Sequence, residues 1–246
     1  MHGGSLCGYK LICGGNKLYF FEMLEDMGTI FTKYWYQFLV KGLGFTIILS
    51  IVTVVLGTVF GSVLALIKMS KIKPLRILVA AFVEIIRGTP MLLQLYIGVF
   101  LMPLIFPFMN EMENKKLICI GITLVLNSAA YVSEIIRSGI EAVDKGQTEA
   151  ARSLGLTSGT TMSVIVLPQA VKNILPALGN EFITVIKETS LASTFYVGEL
   201  MTVYLNIVGI THNSLPTLMI VGIIYFVINF ILSKLLKIAE RRMKHA

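Results

Sequence analysis

EAARSLGLTSGTTMSVIVLP, residues 149–168, begins polar and ends apolar. Its polar half belongs to a longer stretch, about 138–164, that keeps helical character but lacks the run of about 20 apolar residues needed to cross a bilayer. Gln147 to Leu154 is built of helix-forming residues. Ala150 and Ala151 leave a low profile that another protein's groove can cover, and Glu149 is the charged handle on that surface. Gly155 follows, and a glycine adopts positive φ at little cost, so it can end one short helix and let the next start at an angle. The expectation is a water-exposed helical loop between two membrane segments.

Working outward, the chain turns apolar on both sides. Of 246 residues, 55% are hydrophobic and 14% charged, far from the quarter-charged usage of soluble domains. The run from about Gly42 to Leu66 carries no charge and is the first candidate span. Gly57 and Gly61 within it have the spacing that lets two helix backbones approach closely in lipid. A second span is expected from after Pro74 to about Phe106, a third from Leu117 to Ile136, and a fifth from Leu215 to Leu236. Between Ile165 and Val208, Pro168, Pro176 and the polar run Lys187-Glu188-Thr189-Ser190 interrupt the apolar sequence. That fourth span is expected to be broken or bent.

Basic residues in short connections stay on the cytoplasmic side. They follow the first span (Lys68, Lys71, Lys73, Arg76), the third (Arg137, Lys145, Arg152) and the fifth (Lys237, Arg241, Arg242, Lys244). The expected fold is therefore an all-α integral membrane protein of about five spans, N-terminus outside and C-terminus cytoplasmic. Residues 1–40 form an external tail and interfacial segment, with Tyr34, Trp35, Tyr36 and Phe38 as an interfacial belt. Residues 41–240 form the membrane domain, and residues 241–246 a cytoplasmic tail. Met1–Tyr19 has no continuous apolar core or small-residue cleavage site, so an external tail is expected, with a start at Met23 or Met27 as the alternative. The net charge of +7 is spread between apolar runs, which fits membrane topology and lipid, not nucleic acid. Cys7, Cys13 and Cys119 are too widely spaced for a zinc site or disulfide framework, and no metal or cofactor is expected. His2, His212 and His245 form no catalytic constellation.

Two carboxylates mark the fourth span. Glu181 and Glu188 are seven residues apart, which returns to within about 20° of the same helix face. An ionisable group at the membrane centre costs about 2.5–3.5 kcal/mol on insertion scales, so it faces a partner or a wet cavity. A paired acidic wall suits a cationic ligand. Lys187, about 100° around the helix, can neutralise one of the pair but not both. A break at Thr189-Ser190 would free backbone groups to hold a zwitterion. Arg87 pairs with Glu84 at i minus three or, alternatively, receives a substrate carboxylate. Gln94, Thr89 and Pro90 shape a kink. Asn127 and Ser128 line a cavity or bond across helices, and Glu134 with Arg137 is a structural ion pair.

The spacing of Glu149-Ala150-Ala151, Gly155, Ile165, Leu167 and Pro168 resembles the loop signature of ABC-importer permeases. Residues 84–95 (EIIRGTPMLLQL), 127–139 (NSAAYVSEIIRSG) and 174–191 (ILPALGNEFITVIKETSL) resemble the polar amino-acid branch of that family, with its type I importer fold. The resemblance implies one membrane subunit of an amino-acid importer working by alternating access in the inner, cytoplasmic membrane of a prokaryote. Glu149, Ala150, Ala151 and Gly155 would dock on a separate ATPase dimer. An extracytoplasmic solute-binding protein would deliver substrate, and a second permease subunit, identical or homologous, would complete the path. Glu181, Glu188, Lys187, Gln94 and Arg87 would form the substrate site. The acid at position 181 favours arginine, lysine or histidine, with glutamine, cystine or a non-amino-acid solute as alternatives. No Gly-x-x-x-x-Gly-Lys-Ser/Thr run occurs, so ATP hydrolysis is expected on a separate subunit, and the chain is not expected to be an enzyme. A secondary carrier is disfavoured by the lack of a visible internal repeat, and a membrane scaffold by the acids on a broken span.

Overall fold

Backbone in lipid must satisfy its own hydrogen bonds, and a helix does so within one segment. In the computed structural model, which describes residues 16–245 and the side chains of 20–243, every described element is helical. Helix α1 (Asn16–Tyr36) runs through a π-helical turn (Gln37–Gly42) into α2 (Leu43–Lys68). Then follow α3 (Lys73–Arg87), α4 (Met91–Ile105), a short 3-10 turn (Pro107–Glu111) and α5 (Lys115–Glu141). After α6 (Lys145–Ser153) and the single turn α7 (Ser158–Thr160), a second π-helical turn (Thr161–Val166) leads into α8 (Leu167–Glu188). A 3-10 segment (Thr189–Phe195), α9 (Leu200–Thr211) and α10 (Ser214–His245) complete the chain. Met1–Gly15, with His2, Cys7 and Cys13, and Ala246 lie outside the described residues.

Four helical runs are long and apolar enough to cross a membrane: Phe20–Lys68, Lys115–Glu141, Ser158–Phe195 and Ser214–Met243. The pair α3 and α4 makes a fifth, broken by a 111° bend. The expected count of five is met, and the kink expected in the second span is a full break between two helices. Pro90 cannot donate a backbone hydrogen bond and disfavours helical backbone at Thr89 before it. Its extended conformation (ψ 136°) starts α4 in a new direction.

The fourth span is broken at the expected Thr189-Ser190 but not at its prolines. Pro168 lies where the π-helical turn passes into α8, and Pro176 lies inside an unbroken helix. The break falls later, where α8 tightens to 3-10 geometry at Thr189 and ends at Tyr196 with left-handed backbone (φ 56°). Within the stretch 138–164, α5 extends to Glu141, α6 follows, and helix resumes at Ser158.

Two contacts hold the centre together. On α2, a Cβ at Gly57 would lie 2.7 Å from Ser128 Oγ, and one at Gly61 would lie 2.8 Å from the Ala129 carbonyl oxygen. The small-residue spacing thus seats α2 against α5. On the other side, Tyr34 and Phe38 are buried with Leu200, Val203 and Val221, whereas Trp35 and Tyr36 are half exposed. The expected interfacial belt is therefore split by helical periodicity: two of its four aromatics are core.

Candidate functional site

Ser128 stands at the midpoint of α5, thirteen residues from either end. It is fully buried, and its hydroxyl donates a 3.0 Å hydrogen bond to Glu181 Oε1 on α8. Gly57 on α2 makes room for that hydroxyl, so three helices converge on one carboxylate, itself only 7% exposed. Glu188 ends the same uninterrupted helix, about 10 Å further along at 1.5 Å per residue, and is half-buried with no ion pair among the described residues. Lys187 points to an exposed face and makes no ion pair. Among the described residues no side-chain cation lies within ion-pair distance of either acid. Two acids so placed, one buried and one half-buried, can take up a cation.

Gln94 is placed beside this centre but spent on structure. Its amide nitrogen donates to the carbonyl oxygens of Ile86 (2.6 Å) and Thr89 (3.0 Å) and to Thr89 Oγ1 (2.9 Å), while its oxygen accepts from Asn127 Nδ2 at 2.9 Å. The α3–α4 break exposes carbonyls that the helix no longer satisfies, and Gln94 satisfies them. It therefore braces the bend and ties it to α5.

Arg87 is elsewhere. Expected to pair with Glu84, it is 42% exposed at its side chain, with Nη1 3.7 Å from Glu134 Oε2 and its guanidinium 5.5 Å from the Tyr131 ring centroid. Glu84 sits one turn back, but α5 offers a carboxylate and a ring together. Glu134 also accepts from Arg137 (2.8 Å) and from Lys68 of α2, and Arg137 reaches Glu141 at 2.5 Å, so the expected Glu134–Arg137 pair is one arm of a five-residue node. It lies toward the end of α5 that leads into the loop. Arg87 thus belongs to that node and not to the Glu181 centre.

In the loop, Asp144 caps α6 by accepting from Gly146 N at 2.8 Å. Glu149 and Ala150 are exposed, and Ala151 is buried. The helix ends with Gly155 N donating to Arg152 O and Leu156 N to Ala151 O, the paired bonds of a glycine-terminated helix, with Gly155 at φ +85°. Thr157 then caps the next turn, accepting from Thr160 N. A cavity of about 630 Å³ lies between this loop and the end of α5, lined in part by Glu141, Arg152 and Met162.

Residues 57–245 match the family described as binding-protein-dependent transport system inner membrane component. This chain belongs to that family. It is accordingly a multi-pass inner-membrane permease. It is 40% identical over 207 residues, 84% of this chain and 93% of the relative, to the arginine transport system permease protein ArtQ of Bacillus subtilis. It is 38% identical over 207 residues (84% and 93%) to the putative glutamine transport system permease protein GlnP of Rickettsia bellii, and 37% over 206 residues (82% and 85%) to the L-cystine transport system permease protein TcyB of Bacillus subtilis. Among solved structures, an amino acid ABC transporter crystallised with histidines superposes with a TM-score of 0.80 at 41% identity, covering 86% of this chain and 96% of the other. The permease therefore has the type I ABC importer fold.

One buried acid of the permease was not singled out from sequence. Glu199 is fully buried and caps α9, accepting from Met201 N and Thr202 N at 2.6 Å each, from Thr202 Oγ1 at 2.8 Å and from Tyr225 OH at 3.4 Å. Thr46 of α2 accepts from Leu200 N at 3.1 Å. Together they pin the restart of helix after the broken fourth span. The available signal was an acid just after Gly198 with a hydroxyl residue three positions on, an N-cap arrangement.

Proposed function

We propose that the permease is one membrane half of an ATP-driven importer for basic amino acids, with arginine, lysine or histidine as substrate. The observation that carries this is the Glu181–Glu188 face: two acids on one side of α8, one buried against the midpoint of α5, with no cation in ion-pair range among the described residues. Relatives named for arginine, glutamine and cystine lie between 37% and 40% identity, so overall likeness does not choose among them, and the carboxylates support a basic substrate. Glu181, Glu188 and Lys187 form the substrate face, Gln94 positions the bend beside it, and Arg87 belongs to the loop-side node. A binding protein delivers the amino acid from outside, where the N-terminus lies. ATP-driven closure of an ATPase dimer moves the cytoplasmic loops, and a second permease subunit supplies the other wall. The test is labelled-arginine uptake in proteoliposomes holding the permease with its ATPase and binding protein. Competition by lysine and histidine but not glutamine or cystine is expected, and best competition by glutamine would overturn the substrate assignment.

The loop supplies the coupling. Glu149 and Ala150 present the docking surface, Ala151 packs beneath it, and Gly155 sets the angle between its two helical pieces. A β-branched side chain in left-handed backbone costs about 1–2 kcal/mol, roughly a tenfold shift in the population of the docking-competent loop. Gly155→Val is therefore expected to lower ATP-driven uptake about tenfold, with Gly155→Asn retaining most of it. Nothing lies within 4 Å of a Cβ at Gly155 or Gly159, so Gly159→Ala, which lacks the positive φ, serves as the neutral control. Equal activity of all three variants would remove Gly155 from the coupling role.

A further inference from the structure

Helix α10 has 32 residues, about 48 Å at 1.5 Å per residue, against a hydrocarbon core of about 30 Å. Its C-terminal third must therefore stand at or beyond the headgroups. One exposed face runs the length of the helix at three- and four-residue steps. First come Ile223, Val227 and Phe230, then Lys234, Lys237 and Arg241, all exposed. The switch from apolar to basic occurs within one turn, where Lys234 Nζ rides 5.4 Å from the Phe230 ring centroid. None of the three cations makes an ion pair among the described residues. The single acid of this stretch, Glu240, lies about 120° around the helix from Lys234 and lines a cavity with Lys172 and Asn173.

We propose that Lys234, Lys237 and Arg241 bind the phosphates of anionic phospholipids whose acyl chains lie along Ile223, Val227 and Phe230. Charge complementarity and continuity with the apolar face carry the assignment. A second copy of this chain meeting the same face would set three cations against three. Basic residues beside an anionic surface each add to binding, and salt screens the effect. The reading is independent of which solute the permease carries.

The test is native mass spectrometry of the full-length chain released from mixed micelles holding equal phosphatidylglycerol and phosphatidylcholine. Preferential retention of phosphatidylglycerol is expected, falling as salt is raised. The triple variant K234Q/K237Q/R241Q is expected to lower that preference at least fivefold, while K115Q/K116Q at the start of α5 leaves it unchanged. No preference in the native chain, or an unchanged preference in the triple variant, overturns the proposal. So does a variant that keeps the lipid but loses its ATPase, because the stripe would then be a protein contact. If the triple variant fails to insert, the salt dependence of the native chain and the charge-retaining K234R/K237R/R241K decide.

Discussion

Glu181→Gln is expected to cut ATP-driven uptake of arginine on the order of a hundredfold while leaving the protein folded and its ATPase bound. The substitution keeps the shape and an amide oxygen able to accept from Ser128 Oγ, which now donates to Glu181 at 3.0 Å, so α5 and α8 keep their contact. What disappears is the negative charge. Leaving one partner of a buried ion pair without its counter-charge costs about 3–5 kcal/mol, and even the lower bound corresponds to roughly two orders of magnitude in binding. Glu188, half-buried and one level further along α8, compensates in part, so Glu181→Gln with Glu188→Gln should abolish uptake. Proteoliposome uptake with a thermal-stability control measures both. Arginine uptake by Glu181→Gln at the native rate would show that the acid serves packing alone, and a gain in glutamine uptake would show that it sets charge selectivity.

Span number, the helical character of the loop and the Gly155 reversal were legible because each depends on local sequence: apolar run length, helix-forming residues and a glycine's φ. The bend at Gly88-Thr89-Pro90 was legible as a kink but not as a 111° break, because its size depends on Gln94 reaching back to the carbonyls of Ile86 and Thr89. Arg87 was misplaced for a related reason. Sequence offers Glu84 one turn away, and only tertiary structure brings Glu134 and the Tyr131 ring beside it. Pro168 and Pro176 were read as interruptions, yet one lies where the π-helical turn passes into α8 and the other is absorbed within α8. Tyr34 and Phe38 looked interfacial until α9 and α10 were set against them. Long-range partners decided each of these.

Gly57→Ala together with Gly61→Ala is expected to lower the stability of the folded permease by several kcal/mol and to depress uptake along with it. Alanine is the better helix former by about 1 kcal/mol, so local propensity predicts the opposite sign. Packing outweighs it. A methyl at Gly57 would stand 2.7 Å from Ser128 Oγ and 2.8 Å from Ser128 Cβ, and one at Gly61 would stand 2.7 Å from Val132 Cβ and 2.8 Å from the Ala129 carbonyl oxygen. Backbone and branched carbons cannot step aside as a flexible side chain does, so α2 must back away from α5. Overpacking of this kind costs about 1–3 kcal/mol per site, a large share of a total stability of about 5–15 kcal/mol. Gly44→Ala on the same helix, with nothing within 4 Å of its Cβ, is the control and should be neutral or slightly stabilising. Thermal unfolding in detergent compares the variants directly. The single variants then separate structure from function: Gly57→Ala displaces the hydroxyl that orients Glu181 and should raise the KM for arginine, whereas Gly61→Ala, one turn away, should lower stability without that change. A double variant as stable as the native chain would mean that the close approach of α2 to α5 does not depend on these glycines.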